Sequence, residues 1–226
     1  MCGRYVQVSP IEKIEEKFGV IAEVDVYQPN YNIGPTHEAP IICSDAPKKL
    51  LLGQFGYRPS YDPSRLLLNA RDDRLMDLAE WSQAYTFRRC LIPATCFYEG
   101  PQKEKLAKPH AVYLRNTERP FAFAGLYRDV ESDEGIFRTF GIITTRPSSA
   151  MKAIGHHRAP VILRPDDYKV WLDNDKHLSQ YTVAIGRNEN EKMNAYPVSP
   201  EMRSGRINAR YLLDPIGPRV LPEHEN

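Results

Sequence analysis

The chain has 226 residues, 42% of them hydrophobic, and a formal net charge of +1; that length supports one substantial core, with a single domain expected over 1–226. The near-neutral balance excludes a protein coated in positive charge, so any nucleic-acid site has to be a local patch. No window approaches the ~18 apolar residues of a membrane span and no basic-then-apolar leader opens the chain, which predicts a cytoplasmic protein without membrane contact.

The chain starts Met1-Cys2-Gly3-Arg4-Tyr5. A small second residue allows removal of the initiator methionine, which would leave Cys2 as the mature N-terminus. An N-terminal cysteine carries an amine and a thiol on adjacent carbons, an arrangement that traps an aldehyde as a five-membered thiazolidine. Roughly 10–20% of an α-amino group is neutral at pH 7, against under ~0.1% of a lysine, and the thiol is a second nucleophile. Alternation from Cys2 to Val8 predicts a strand that anchors this terminus in a sheet. Cys2, Cys43, Cys90 and Cys96 show no C-x-x-C spacing and no paired histidines, so neither zinc nor a disulfide framework is expected and no cofactor is implied. The last three sit in apolar runs and read as buried thiols.

Ser9-Pro10-Ile11-Glu12 reads as a capping box opening a helix that Gly19 stops. Tyr31 to Pro35 is a turn-rich approach to strands at Ala39 to Ser44 and Leu50 to Tyr57. Pro59 to Ser64, with two prolines and two serines, predicts an exposed loop, where binding residues tend to sit. Leu66-Leu67-Leu68 predicts a short strand ending in Asn69-Ala70-Arg71, with Asp72 and Asp73 in the first turn of a helix that carries Leu75, Leu78 and Ala79. Asn69 and Arg71 would then lie where a strand meets a helix N-terminus, a junction suited to an anion such as phosphate; capping by Asn69 and pairing of Arg71 with Asp72 or Asp73 is the competing local reading.

Cys90 to Gly100 is an almost wholly apolar run that closes on Glu99. A carboxyl at the end of a buried strand has its pKa raised and suits proton transfer near neutrality. Lys103 to Lys108 predicts a polar hairpin loop, and strands follow at His110 to Arg115, Phe121 to Tyr127 and Ile136 to Thr145, with a charged turn over Glu131 to Glu134. Pro147-Ser148-Ser149 opens a short helix ended by Gly155. His156-His157-Arg158-Ala159-Pro160 leads into a strand at Val161 to Leu163; adjacent histidines point apart on extended chain, so at most one faces a given site. Pro165 to Asp173 predicts a capped helix, Tyr196 to Ser199 an ordered turn, and Ile207 to Leu213 a final strand before a loose tail over about 215–226.

Four stretches, Met1-Cys2-Gly3-Arg4-Tyr5, Asn69-Ala70-Arg71, the run closing on Phe97-Tyr98-Glu99, and His156-x-Arg158-x-Pro160, resemble in order and spacing the SOS response-associated peptidase (SRAP) family. Tyr31 to Pro35 and Tyr196 to Ser199 resemble family signatures too. The resemblance implies an α+β single domain with a curved, barrel-like, mostly antiparallel sheet flanked by short helices, acting as a monomer on abasic sites in single-stranded DNA. It further implies that Cys2 crosslinks to the lesion, Asn69 holds its amine or the sugar, Glu99 moves protons, and His156, selected over His157 by the motif spacing, assists ring opening and crosslink reversal, with lyase activity in some members. Arg4, Arg71, Arg58, Tyr61 and Arg158 are the expected DNA contacts.

The chain departs from the family pattern in places. A W-G-x-x-P-x-W segment appears as Phe55-Gly56-Tyr57-Arg58-Pro59-Ser60-Tyr61, with Phe55 and Tyr61 expected to keep aromatic surface. Gly100 replaces the tryptophan that usually follows the glutamate, and Asp73 stands where glutamate is common. Two other readings are an N-terminal-nucleophile amidohydrolase, which needs an oxyanion hole, and a non-covalent single-strand binder in which Cys2 is structural.

Overall fold

The computed structural model describes residues 2–22, 28–59, 61–133 and 135–223. Expectations that touch Met1, Ser60, Glu134 and the last three residues lie outside that set. In chain order the strands are β1 (Arg4–Gln7), β2 (Ile21–Ala22), β3 (Asn30–Ile33), β4 (Glu38–Cys43), β5 (Lys49–Phe55), β6 (Asn69–Arg71), β7 (Arg89–Ala94), β8 (Cys96–Glu99), β9 (His110–Leu114), β10 (Phe121–Ser132), β11 (Gly135–Thr145), β12 (Ala159–Pro160) and β13 (Met193–Pro197). The α-helices are α1 (Ile11–Phe18), α2 (Ala79–Phe87), α3 (Ser149–Ala153), α4 (Tyr168–Leu172) and α5 (Leu178–Gly186).

Five strands close a barrel in the order β5, β4, β7, β10, β11 and back to β5. Every seam is antiparallel except the last, where Thr139 and Phe140 pair parallel with Gln54 and Phe55. Closure removes the open edges that a curved sheet would otherwise expose. So small a barrel is filled by side chains. Ile41, Phe55, Ile92, Phe123 and Phe140 occupy it, and Gly53 makes room, since a Cβ there would stand 2.6 Å from Ile41 Cδ1.

A second, all-antiparallel sheet runs β13-β9-β8-β1-β3. β7 and β8 are one apolar run interrupted only at Thr95, so the chain passes from barrel to second sheet within Arg89 to Glu99. The main core lies between them, joining barrel residues to Cys2, Tyr5, Phe97, Val112 and Met193. α2, α4 and α5 cover the barrel's outer face through Trp81, Tyr85, Trp171 and Tyr181. Met202 and Leu212 cover the outer face of the second sheet. The α+β barrel architecture is the one the sequence predicts, and no helix among the described residues is long and apolar enough to cross a membrane.

Local expectations diverge where partners outside the segment decide. Tyr31 to Ile33 belongs to β3, drawn into strand by pairing with β1. Of the strand expected from Arg65 to Ala70, only its end forms, as Asn69–Arg71 beside Ile142 to Thr144 of β11, while Leu67 makes a single bridge to Tyr57. The helix expected from Asp72 is a 3-10 turn over Asp72–Arg74, and α2 starts only at Ala79. No capping box forms at Ser9, whose backbone N–H is taken by Gln7 Oε1 at 2.9 Å, although Gly19 ends α1 in the left-handed region as expected. Tyr196 and Pro197 close β13 rather than forming a separate turn, and the final strand is replaced by a 3-10 turn at Arg210–Leu213 that buries Leu212. The tail expected to be loose is held as far as Glu223, with Ile216, Val220 and Leu221 hydrogen-bonded along β13 and Pro222 and Glu223 bonded to Arg115 and Tyr113.

Candidate functional site

Four side chains from distant segments meet at the start of β1. Cys2 immediately precedes that strand and is buried in the main core. Asn69 opens β6, which its parallel pairing with β11 holds in place, and its Nδ2 donates to the Cys2 carbonyl at 3.0 Å. Glu99 ends β8 and is 5% exposed. His156 follows α3, where Gly155 turns the chain at φ 75° and the His156 N–H donates to the Met151 carbonyl at 2.9 Å. His156 Nε2 stands 3.7 Å from Glu99 Oε1, with both groups buried. His157 is exposed and His156 buried, but the chain bends at His157 and the two rings lie 5.2 Å apart, so the expected opposition of the two side chains on extended backbone does not hold.

Burial sets the electrostatics. It pushes the Cys2 thiol well above its ordinary range; the Glu99 carboxylate adds to the rise, and the Arg4 backbone N–H, which donates to the sulfur, opposes it. Burial likewise raises the Glu99 carboxyl and lowers the His156 imidazole to about 4. A carboxyl that holds its proton more tightly than usual therefore faces an imidazole that stays neutral at about pH 7 and can accept one. Asn69 Oδ1 is buried and has no hydrogen-bond partner among the described residues. An orphan acceptor of that kind costs about 1–3 kcal/mol unless a donor arrives.

The Glu99, His156 and Asn69 side chains line a groove of about 600 Å³. Leu66, Leu67 and Leu68, half-buried rather than in a strand, form part of its wall; Tyr61 and Trp81 add aromatic surface, and Arg65, Arg71, Arg74 and Lys105 line it with cations. Arg65, Arg74 and Lys105 have no ion-pair partner among the described residues, whereas Arg71 is clasped by Asp73 through Nε and Nη2 at 2.9 and 2.6 Å. That resolves the competing local reading of Arg71 in favour of Asp73 in this state. The groove is thus a positive patch on a near-neutral protein.

The expected DNA contacts are placed unequally. Tyr61, 60% exposed, and Arg71 line the groove. Arg158 does not: it is 9% exposed, and its Nη2 donates to Asp72 Oδ1 at 2.8 Å and to the Thr144 carbonyl, which ties the segment after His156 to the turn after β6. Arg4 donates to Asn32 Oδ1 at 3.0 Å and to the Arg203 carbonyl at 3.1 Å, and exposed Arg58 donates to the carbonyls of Pro63 and Ser64. Phe55 offers no aromatic surface; it is inside the barrel, stacked on Phe140 with centroids 5.3 Å apart. Sequence reasoning passed over Arg65, Arg74, Lys105 and Trp81. Basic residues bracketing Asn69-Ala70-Arg71 were the available signal for the first two.

Gly100 has a physical reason. A Cβ there would fall 2.0 Å from the Lys105 carbonyl oxygen, because the loop between β8 and β9 crosses directly over it. Lys105 itself adopts φ 53° in that loop. The backbone of that loop takes the space that a side chain after Glu99 would occupy, and Lys105 is among the residues lining the groove. Cys43, Cys90 and Cys96 are free and buried as expected. Among the described residues no group of three or more His, Cys, Asp or Glu could hold a metal ion.

Comparison with known proteins agrees with this architecture. The chain is 31% identical over 224 residues to the abasic site processing protein YoaM of Bacillus subtilis, covering 95% of this chain and 98% of that one. It is 26% identical over 220 residues to the abasic site processing protein HMCES of Xenopus tropicalis, covering 81% of this chain and 65% of that longer protein. Among solved structures, a protein from Bacteroides thetaiotaomicron superposes with a TM-score of 0.81 at 22% identity, over 95% of this chain and 99% of that one, a likeness of fold. A phage-related protein from Bordetella bronchiseptica superposes at 0.69 with 27% identity, over 87% of this chain and 94% of that one. The model of the SOS response associated peptidase (SRAP) family matches residues 1–204, and with relatives aligned from end to end the chain belongs to that family.

Proposed function

We propose that this protein, once Met1 is removed, processes abasic sites in single-stranded DNA by covalent capture through Cys2. The observation that carries the reading is the convergence of Asn69, Glu99 and His156 on the N-terminal segment, beside a cation-lined groove. An abasic sugar is mostly a closed hemiacetal, and opening it to the aldehyde needs a proton on the ring oxygen and removal of one from the hydroxyl. Glu99, whose hold on a proton is strengthened by burial, suits the first task and neutral His156 the second.

The amine leads the attack, since a thiol kept neutral by burial is the weaker nucleophile. The amine adds to the aldehyde carbon, water leaves, and a Schiff base results. The Cys2 sulfur then bonds to that carbon while the thiol proton passes to nitrogen, closing the thiazolidine. Asn69 Oδ1, the orphan acceptor, would take an N–H of the new amine and orient its lone pair. β-Elimination at the Schiff base, with a proton lost from the neighbouring carbon and the 3′ phosphate leaving, is the competing outcome when ring closure is slow. Groove contacts to phosphates and base faces are indifferent to sequence, as a lesion binder requires.

The test is denaturing electrophoresis and intact mass after incubation with a single-stranded oligonucleotide bearing one abasic site, using protein whose lack of Met1 is verified. A heat-stable adduct with wild type and none with Cys2→Ala is expected. Absence of both adduct and strand cleavage with the wild-type protein would overturn the proposal.

A further inference from the structure

The segment from Pro200 to Ile207 is built like a binding element although no part of it lines the groove. Arg4 holds it from one side by donating to the Arg203 carbonyl at 3.1 Å. Asn32 holds it from the other, its Nδ2 donating to the carbonyls of Ser204 and Ile207 at 2.8 and 3.0 Å, while its Oδ1 accepts from Arg4 at 3.0 Å. The Arg4 guanidinium fits between two glycines: a Cβ on Gly34 would stand 2.8 Å from Nη1, and one on Gly205 3.5 Å from Nη2. Two buried or half-buried polar side chains, on β1 and β3, are therefore spent on fixing the backbone of one surface loop.

That loop presents Arg203 and Arg206 to solvent. Neither has an ion pair or side-chain hydrogen bond among the described residues, unlike Arg138, Arg164 and Arg219, which all face carboxylates. The one acid between Pro197 and Leu213 is Glu201, whose carboxylate accepts the Tyr211 hydroxyl at 2.8 Å. The loop also abuts the groove: its 3-10 turn, Pro200–Arg203, packs against the 3-10 turn Lys105–Ala107, and Lys105 is a groove cation. On the other flank it is tied to Arg4, two residues from Cys2.

We infer that Arg203 and Arg206 continue the cationic track out of the groove and bind backbone phosphates of the DNA strand on one side of the lesion. Arg4 and Asn32 act as positioning residues that hold the loop in register. The occupant is a single strand of nucleic acid, because the loop offers unneutralised guanidinium groups on a held backbone, packed beside the turn that carries Lys105, and no apolar face of its own. This inference rests on the single-stranded DNA reading above, and it extends the surface beyond the residues that line the groove.

The experiment is fluorescence anisotropy with undamaged oligothymidylate over a range of NaCl concentrations, comparing wild type with Arg203→Ala/Arg206→Ala and with Arg203→Lys/Arg206→Lys, all checked for unchanged thermal melting. Each phosphate contact on a single strand contributes about 0.7 to the slope of log K against log salt, or about 5-fold in affinity at 0.1 M. The alanine pair is expected to lose up to about 1.4 in slope and about 25-fold in affinity on a strand of about twenty nucleotides, with much less loss on one of about four. The lysine pair is expected to restore the slope. An unchanged slope in the alanine pair, or an equal loss on both lengths, overturns the inference. Adduct formation by wild type on an abasic oligonucleotide is scored separately: if it fails while the slope falls, the track stands and the covalent reading does not.

Discussion

His156 supplies a quantitative test of the site's electrostatics. Its imidazole is lowered to about 4 by burial, from an unfolded value of 6.5. Between those values the unfolded chain binds the proton and the folded chain does not. Stability from the neutral imidazole is therefore fully present above about pH 6.5 and drains away as the pH falls toward 4. At pH 5 the unfolded histidine is almost wholly protonated and the folded one almost wholly neutral, which costs about 2 kcal/mol; the full difference, reached below pH 4, is about 3.4 kcal/mol. His156→Gln removes this titration while leaving Glu99 and every other acid in place. Urea unfolding of both proteins from pH 7.5 to 4.5 measures it. The stability difference, variant minus wild type, is expected to rise by about 2 kcal/mol between pH 7.5 and pH 5. Parallel curves would show that His156 titrates normally, and the assignment of a neutral proton acceptor facing Glu99 would be refuted.

Glu99→Gln is expected to slow adduct formation in single-turnover gels by about 10²–10⁴, the usual worth of a positioned proton donor, and at pH 7 to raise the melting temperature, because burial disfavours the ionised carboxylate that the amide replaces; a wild-type rate would remove Glu99 from the chemistry. Asp73→Asn frees Arg71 from its two-point clasp. Anisotropy should then show tighter binding to single-stranded DNA at low salt, with a slope steeper by about 0.7, and no change would mean that Arg71 does not reach phosphate. Arg89 is fully buried with no carboxylate paired to it among the described residues, donating to the carbonyls of Trp171, Tyr85, Thr86 and Asp173 and to Asn174 Oδ1, with its guanidinium 3.6 Å from the Tyr181 ring centre. Arg89→Met strands those acceptors at the ends of α2 and α4 and should cost about 3–5 kcal/mol by chemical denaturation; a loss below about 1 kcal/mol would contradict that role.

What could be read from the chain was what neighbours along the chain decide. Alternation after Cys2 implied a strand because period two puts one face inward whatever the partner. The apolar run ending in Glu99 implied a buried carboxyl because so apolar a run has to be covered on both faces, although its passage from barrel to second sheet at Thr95 was not visible. Adjacency implied that at most one of His156 and His157 faces the site, and only His156 lines the groove, although a bend at His157 rather than extended backbone separates them.

Arg158, Phe55, Lys105 and Arg203 show the opposite case. Whether an arginine meets phosphate or an aspartate depends on what lies within a few ångströms of it in space, and Asp72 comes to Arg158 only because β6 and β11 pair in parallel. Phe55 is inside because β5 closes the barrel against β11, a seam between segments far apart in sequence. Lys105 joins the groove because Gly100 lets a loop cross over it. Residue types and local periodicity determined the chemistry available to this protein, namely a cysteine at position two, one carboxyl and one imidazole. Which charges are spent within the fold and which remain for a ligand was decided by the tertiary structure, since electrostatic pairing falls off over a few ångströms and non-local strand register sets those distances.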